Sequence, residues 1–439
     1  MRKGFLETLR CPYSGSSLRL VREIESRHDR LRYAVVAGEA GEFPVLEGIL
    51  RLQVDEYRAP IVSYMRAGQT DRALRMAFDE VPFQGRAGAA INMMSRLAFK
   101  SDQRGVAEAL QLLKRRLVRG LTDPAATFAE TARRLAAGPR ADWQIYRFSM
   151  PTFLATFPLL HAVRFDGPIL DFCCGTGQAS FLMTRLNPSA QITCVDYSFS
   201  SLYIARKYFV PDAECVSLDA DYPLPFPSRA YATVFSSDAL HWIDSKWSLA
   251  REFERVGRSD AVIIFPHLHN RLASQDGKAL SPDGYGALFP DTPRRLAPEE
   301  SLVRDYFFDD VLDLAREWSV AELQQATLGV SLIASTDLSA FKRTEGLWAQ
   351  RLSHMVNPSI NPAYEVDKRA HSWIWRRKVN GSFARTVEEP GMACLPDKYE
   401  IKVQSSDIAN LADLKLRHPA LFAQLAKAML VVDLPSQFQ

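Results

Sequence analysis

Cysteine is scarce in this chain, with six in 439 residues, too few for a disulfide framework in a protein of this size. Four of them, Cys173, Cys174, Cys194 and Cys215, fall on expected strands and turns, which suits a reducing cytoplasm. Cys173 and Cys174 are neighbours, so a bridge between them would be strained and a shared metal ion is disfavoured. Long apolar runs are missing too. The longest, Met150 to Val163, is shorter than the ~20 residues a bilayer requires and is broken by Pro151 and Pro158, so it reads as a buried helix. Nothing resembles a signal peptide. Excess charge of one sign is absent: the net charge is +3, and runs of lysine and arginine stop at three residues, as at Arg376–Lys378. A nucleic-acid partner is therefore not expected. There is no internal repeat or low-complexity segment. What is present is ordinary for a soluble globular protein, 47% hydrophobic and 24% charged residues, in a chain long enough for two to four compact units.

The informative stretch runs from Gly167 to Tyr197. Pro168-Ile-Leu-Asp-Phe172 is a short apolar run with an acid near its end, the profile of a buried parallel strand that delivers Asp171 to the sheet edge where ligands sit. Gly175 and Gly177 let the backbone turn sharply and approach a ligand closely. Ala179, Leu182 and Leu186 then form a helical stripe whose amino end faces that ligand. A second strand, Gln191 to Val195, ends on Asp196, 19 residues after Gly177, about where a ribose diol is usually gripped. The spacing Gly175-x-Gly177-x-x-Ser180 nearly satisfies a dinucleotide fingerprint as well. Asp171 separates the two readings, because a carboxylate at the strand tip repels a pyrophosphate and suits a cationic group such as the α-amino group of a methionine moiety.

Asp171-Phe-Cys-Cys-Gly-Thr-Gly177 and Asp196 resemble motif I and the following acidic motif of class I S-adenosylmethionine (SAM) dependent methyltransferases, over roughly residues 141 to 268. Cys173 stands where most members have the first glycine. The resemblance implies an α/β, doubly wound, Rossmann-like sheet of seven strands, with SAM as cofactor. It further implies that Asp219 and Ala220, in Val216-Ser-Leu-Asp-Ala-Asp-Tyr-Pro-Leu-Pro-Phe226, meet the adenine, and that Tyr197 and Ser236 belong to the cofactor site. Tyr146 and Arg147, in Asp142 to Phe148, fall about where such enzymes cover the SAM carboxylate; an ordinary surface helix is the competing reading.

Further elements agree with an alternating pattern. Ser198 caps a helix presenting Leu202, Ala205 and Phe209; Tyr231 to Ser237 reads as a fourth strand; Asp244 can cap a helix closed by Gly257; and Ala261 to Phe265 reads as a fifth strand. His241, His267 and His269 are then placed at the carboxyl ends of the fourth and fifth strands, where an acceptor must lie. They are the candidate bases, with His241 first because Leu240-His-Trp242 resembles the acceptor-pocket stretch of small-molecule methyltransferases; a packed histidine without chemical role is the alternative. His267 and His269 alternate onto one face, but with no partner motif in view no metal is expected.

Leu9-Arg-Cys-Pro-Tyr-Ser-Gly-Ser-Ser-Leu18 and Gly41 to Leu50 resemble a small zinc-ribbon-like module of the Trm112 type in which Ser14 replaces a cysteine. Residues 1 to 55 offer only Cys11 and His28 as metal ligands, against the four a tetrahedral zinc site requires, so the module is expected to keep its fold without metal. The expected organisation is this module over 1–55, a helical insert or lid over 56–140 with amphipathic stretches at 87–97 and 106–121, the SAM-binding domain over 141–310, and a substrate-enclosing region over 311–439. In that last region residues 310 to 335 and 406 to 431 read as helical, with strand-like runs around Pro390 and Pro396. Tyr285 and Phe289 lie in a Pro/Gly-rich loop that can fold over a substrate. The expected activity is methyl transfer to a small-molecule acceptor in the cytoplasm, self-association being left open. SAM-dependent chemistry other than methylation, a protein or tRNA substrate, and a noncatalytic scaffold are the alternatives.

Overall fold

The computed structural model describes residues 1–78, 118–135, 139–273, 278–327, 329–378, 395–402 and 410–439. Its centre is a sheet of eleven strands. The first four form an antiparallel meander: β1 (Arg19–Arg27), β2 (Arg30–Gly38), β3 (Gly41–Leu46) and β4 (Ile49–Arg51). β5 (Ile169–Phe172), β6 (Ile192–Asp196), β7 (Glu214–Ser217), β8 (Tyr231–Phe235), β9 (Gly257–Leu268) and β10 (Arg294–Pro298) follow. β11 (Val311–Asp313) lies outside this sheet, and β12 (Val330–Ala334) returns to it. The spatial order is β1-β2-β3-β4-β7-β6-β5-β8-β9-β12-β10. Strands β7, β6, β5, β8 and β9 run parallel, and β12 is inserted antiparallel between β9 and β10.

The seven strands β7-β6-β5-β8-β9-β12-β10 are the expected doubly wound sheet, with the chain reversing direction of travel beside β5. Each of the inner strands β5 and β8 is buried along its whole length, as a parallel strand covered on both faces must be. Two apolar clusters cover those faces. One includes Phe181, Leu202 and Phe209, and the other Phe172, Val234 and Phe253.

Several expectations are corrected. Residues 310–335 are not a helical stretch: β11 and β12 flank one short helix, Val320–Gln324, held by a capping box between Ser319 and Glu322. The buried run Val330-Ser-Leu-Ile-Ala334, apolar but for Ser331, carries no period that separates strand from buried helix. The sheet therefore continues past residue 310 to Ala334, and its other end is built by residues 19–51, so the amino-terminal module is continuous with the cofactor domain through parallel pairing of β4 with β7. Asp244 does not cap the following helix. That helix is Lys246–Val256 with Ser245 at its cap position, while Asp244 is exposed and pairs with Lys278. Gly257 is extended (φ −68°) because the chain passes directly from the helix into β9 and needs no left-handed turn.

Ser198 does cap the helix Phe199–Ile204, its Oγ accepting from Ser201 N at 3.2 Å. Residues 150–163 form short buried helical turns over the sheet. In the insert, helices Arg58–Arg66, Thr70–Ala77, Phe128–Leu135 and Pro139–Ile145 are described. The stretch 87–97, most of 106–121 and the run around Pro390 lie outside the described residues.

The carboxyl-terminal region contains β13 (Arg343–Glu345) beside β11, β14 (Pro358–Ile360) beside β18 (Val431–Asp433), and a small sheet of β15 (Tyr364–Lys368), β16 (Ser372–Arg377) and β17 (Lys398–Lys402). Helices Leu411–Arg417 and Pro419–Lys427 match the helical reading of 406–431. The chain end packs back on the sheet's helices. Phe438 meets Phe128, Phe148 and Phe209, and Arg185 pairs with Asp433 at 2.9 Å.

Candidate cofactor and acceptor site

The carboxyl ends of β5, β6 and β7 bring Asp171, Asp196 and Asp219 to neighbouring positions at one edge of the sheet. Between β5 and the helix Gln178–Leu186, three residues in five have left-handed backbone: Cys173 (φ 55°), Gly175 (φ 56°) and Gly177 (φ 86°). The two glycines do different work. A Cβ on Gly175 would meet nothing within 4 Å, so this position opens a cradle at the helix amino end, whereas a Cβ on Gly177 would lie 2.8 Å from Ala205 Cβ. Gly177 is there for close packing, Gly175 for access. Cys173 adopts glycine-like geometry at the position where the resemblance expects glycine, a conformation that costs an L-residue roughly 1–2 kcal/mol.

Asp171 is 1% exposed, and Ser180 Oγ donates to its Oδ2 at 2.5 Å. Burial pushes its pKa up to about 7, and the Asp196 charge adds to the rise. Asp196 accepts from Gly175 N at 2.9 Å and Ser198 N at 2.8 Å, so its carboxylate ties the glycine turn to the next loop. Each of its oxygens keeps a second lone pair. Burial also raises the thiols of Cys173 and Cys174, that of Cys174 to about 12, while hydrogen bonds from Cys194 to Cys174 and from Cys215 to Cys194, with burial added, raise those of Cys194 and Cys215. Thiols held protonated in this way are packing groups, not nucleophiles.

Asp219 and Ala220 lie in the turn after β7, where Asp219 Oδ1 accepts from Asp221 N at 3.1 Å. Tyr197 is 58% exposed, and its carbonyl accepts from Ser217 Oγ at 2.9 Å and from Gln53 Nε2. Ser236, just past β8, is buried with an Oγ that makes no hydrogen bond. Tyr146 is buried, as is its neighbour Arg147, whose guanidinium pairs with Asp238 Oδ2 at 2.9 Å, donates to Thr152 Oγ1 at 2.6 Å and lies over the rings of Trp143 and Phe153. The expected carboxylate partner of Arg147 is thus, in this structure, a side chain of the protein.

Beyond β8 and β9 the structure gathers all three singled-out histidines. His241 sits in the turn Leu240–Trp242, stacked on His269 with ring centroids 3.7 Å apart. His241 Nε2 and His267 Nε2 lie 3.7 and 3.8 Å from the same atom, Asp238 Oδ1. On its other side, His267 Nδ1 is 2.6 Å from Glu299 Oε2, while Glu299 Oε1 accepts from His267 N at 2.5 Å and from Ser331 Oγ at 3.0 Å. Burial would lower the His267 pKa, but Glu299 and Asp238 together hold it above the ordinary value. Asp238 is held low: burial acts against its ionisation, but Arg147 and the two imidazoles outweigh that. Both Asp238 (φ 56°) and His267 (φ 57°) have left-handed backbone. Strained residues of this kind persist only where surrounding structure fixes them.

Two residues of this cluster were missed in the sequence. Asp238 opens the run that contains His241 and could have been found there; it is also the partner whose apparent lack argued against a metal. Glu299 is 32 residues from His267 and carries no local signal.

Residues 170–265 match the family described as methyltransferase domain. Among curated proteins, the chain is similar to malonyl-[acyl-carrier protein] O-methyltransferase of Legionella pneumophila, 29% identical over 147 residues, covering 33% of this chain and 52% of that protein. It is similar also to the protein of that name from a Marinomonas species, 27% identical over 226 residues, covering 51% of this chain and 76% of the relative. The chain thus spans about half the length of the first relative and three quarters of the second. A solved SAM-dependent methyltransferase from Aquifex aeolicus is 13% identical, covering 44% of this chain and 96% of that one, with a TM-score of 0.31. With the glycine turn, the acids on three successive strand ends and the reversed seventh strand in place, residues 170–265 form the heart of a class I SAM-dependent methyltransferase domain, and SAM is the cofactor of that family.

Proposed function

We propose that this protein transfers a methyl group from SAM to a small-molecule acceptor. The observation that carries the reading is the buried Asp171 beside the open Gly175 cradle, with Asp196 one strand away. A buried acid with one hydroxyl donor is short of positive charge, and the α-amino group of SAM supplies it. In the proposal, Asp196 grips the ribose diol, and Asp219 and Ala220 receive the adenine. Tyr197 and Ser236 line the same cofactor site, with Tyr146 and Arg147 behind its entrance.

When bound, SAM supplies a methyl group on a sulfonium centre, open to in-line attack. The chain's own contribution is alignment and exclusion of water. On the acceptor side, His241 is placed to take the proton of a hydroxyl, whereas a carboxylate acceptor needs no base. The names of the relatives, both O-methyltransferases, favour an oxygen acceptor.

Calorimetry with Asp171→Ala and Asp196→Ala tests the cofactor site. Each variant is expected to weaken SAM binding about 10-fold or more, the scale of a lost charge-assisted hydrogen bond. Unchanged affinity in both overturns the site. Transfer of labelled methyl across a panel of carboxylate and hydroxyl acceptors tests the reaction, and SAM binding without transfer to any acceptor would favour non-methylating chemistry.

A further inference from the structure

We propose that Asp238, His267 and His269 form a site for a divalent first-row transition ion such as Zn²⁺, with coordination positions left open toward the acceptor. One ligand atom from each of these residues can be chosen so that all three lie within 4.8 Å of one another, and no other group of three or more His, Cys, Asp or Glu side chains comes together this way among the described residues. Two imidazoles and one carboxylate are the donor set of open catalytic sites, where three protein ligands leave room for water or substrate. Ion–ligand distances of about 2.0–2.2 Å in a tetrahedral site place ligand atoms roughly 3.3–3.6 Å apart, so closing around an ion shortens the widest of these separations by about an ångström, within reach of side-chain rotation.

Two independent features point inward to an ion. His267 is buried, and its Nε2 makes no hydrogen bond. That nitrogen is aimed at Asp238 Oδ1 from 3.8 Å, beyond hydrogen-bond range. The opposite nitrogen, Nδ1, is engaged by Glu299 at 2.6 Å. A histidine that donates one N–H to a buried carboxylate can give up the proton on its other nitrogen to an arriving ion and bind it with a lone pair of raised basicity, which is the outer arrangement that orients metal-bound histidines. Arg147 takes Asp238 Oδ2 and leaves Oδ1 facing the imidazoles. The left-handed backbone at both Asp238 and His267 turns these two side chains toward the same point at the ends of β8 and β9.

The site stands apart from the SAM reading, because none of its three ligands is assigned to the cofactor. It supplies what an acidic oxygen acceptor would use: an ion that binds the oxygen and favours its deprotonated form.

The test uses the full chain stripped with chelator and titrated with Co²⁺, read by visible d–d absorption and by metal content after gel filtration. The expected result is one cobalt per chain, displaced by Zn²⁺. His269→Ala is expected to weaken binding at least 100-fold, and Glu299→Gln 10- to 100-fold, in the range seen when such outer carboxylates are changed. No d–d band from the wild-type chain overturns the proposal without recourse to any variant. Binding of equal strength in His267→Ala and His269→Ala overturns it too, since the ion would then sit elsewhere. SAM affinity measured on the same stripped protein separates this outcome from a failure of the cofactor site.

Discussion

The buried Asp171 makes SAM binding depend on pH in a direction that can be worked out. Its pKa in the folded protein is pushed up to about 7 by burial, so at pH 6 the free site holds a neutral acid. An ammonium group placed against it favours the carboxylate, and binding therefore releases a proton. If the bound pKa returns to the ordinary carboxylate value of about 4, affinity follows the ionised fraction of the free site. That fraction is about 0.09 at pH 6 and about 0.76 at pH 7.5, a gain of roughly eightfold, worth about 1.3 kcal/mol at 1.36 kcal/mol per tenfold step. The ligand's own amine, with an ordinary pKa of about 7.7–8.0, loses part of its charge over the same interval and trims the gain to roughly sixfold. Calorimetry between pH 6 and 7.5 in buffers of different ionisation enthalpy reads both the affinity and the proton release. Asp171→Asn is expected to bind more weakly at pH 7.5 and to lose the upward slope. A wild-type affinity that is flat, or that falls as pH rises, refutes the pairing of Asp171 with a cationic group.

The same group affects stability with the opposite slope. Its folded pKa lies above the unfolded value, so the folded state holds more protons between about pH 4 and 7, and stability of the ligand-free protein is expected to fall as pH rises through that window; thermal melts of wild type against Asp171→Asn check this. Gly177→Ala forces a Cβ to 2.8 Å from Ala205 Cβ at φ 86° and is expected to cost roughly 1–3 kcal/mol, read as a lower Tm. Gly175→Ala meets open space and is expected to cost less stability while weakening SAM binding; equal loss of stability in the two variants would refute the division of labour between the glycines. Deleting residues 1–54 uncovers the edge of β7 and is expected to abolish soluble monomer, an exposed strand edge being a template for association; a soluble, SAM-binding truncation would show that the module is dispensable to the sheet.

Legibility in the sequence followed locality. The glycine turn, Asp171 and Asp196 lie within one strand-turn-helix-strand unit, where turn chemistry and helical period are written in neighbouring residues. The Ser198 cap was readable for the same reason. What failed depended on partners far along the chain. Val330–Ala334 becomes a strand because β9 and β10 accept it on either side, and its own five residues do not say so. Arg147 was singled out from its place ahead of the first strand, but its counter-ion, Asp238, comes from the end of β8. The histidines were singled out one by one, yet their surroundings are set by Asp238 and Glu299, and Glu299 reaches His267 only because a helix, Glu299–Arg304, starts directly at the end of β10 and is tied there by Glu299 N to Gly329 O at 3.1 Å.

The amino-terminal segment builds one end of the sheet, with Cys11 and His28 as the only cysteine and histidine of residues 1–55. In the order β7-β6-β5-β8-β9-β12-β10, β7 would be an exposed edge. β4 covers it, pairing Ile49 with Cys215, Leu50 with Val216 and Arg51 with Ser217. The join is reinforced at both ends, by Arg2 Nε to Glu214 Oε1 at 2.7 Å and by Leu52 N to Ser217 O at 2.8 Å. Gln53 then extends along the same line toward the ligand side, its Oε1 accepting from Ser217 Oγ at 2.9 Å and its Nε2 donating to the carbonyl of Tyr197. Tyr13 stacks edge-on against Tyr222, in the turn that carries Asp219 and Ala220. The segment packs through the buried residues Phe43, Val45, Ile49 and Leu50, and that packing does not require a metal. Because Gln53 and Tyr13 contact the two loops that follow β6 and β7, Gln53→Ala and Tyr13→Ala are expected to weaken SAM binding at the proposed ribose and adenine side more than they lower Tm, which calorimetry and thermal melts check.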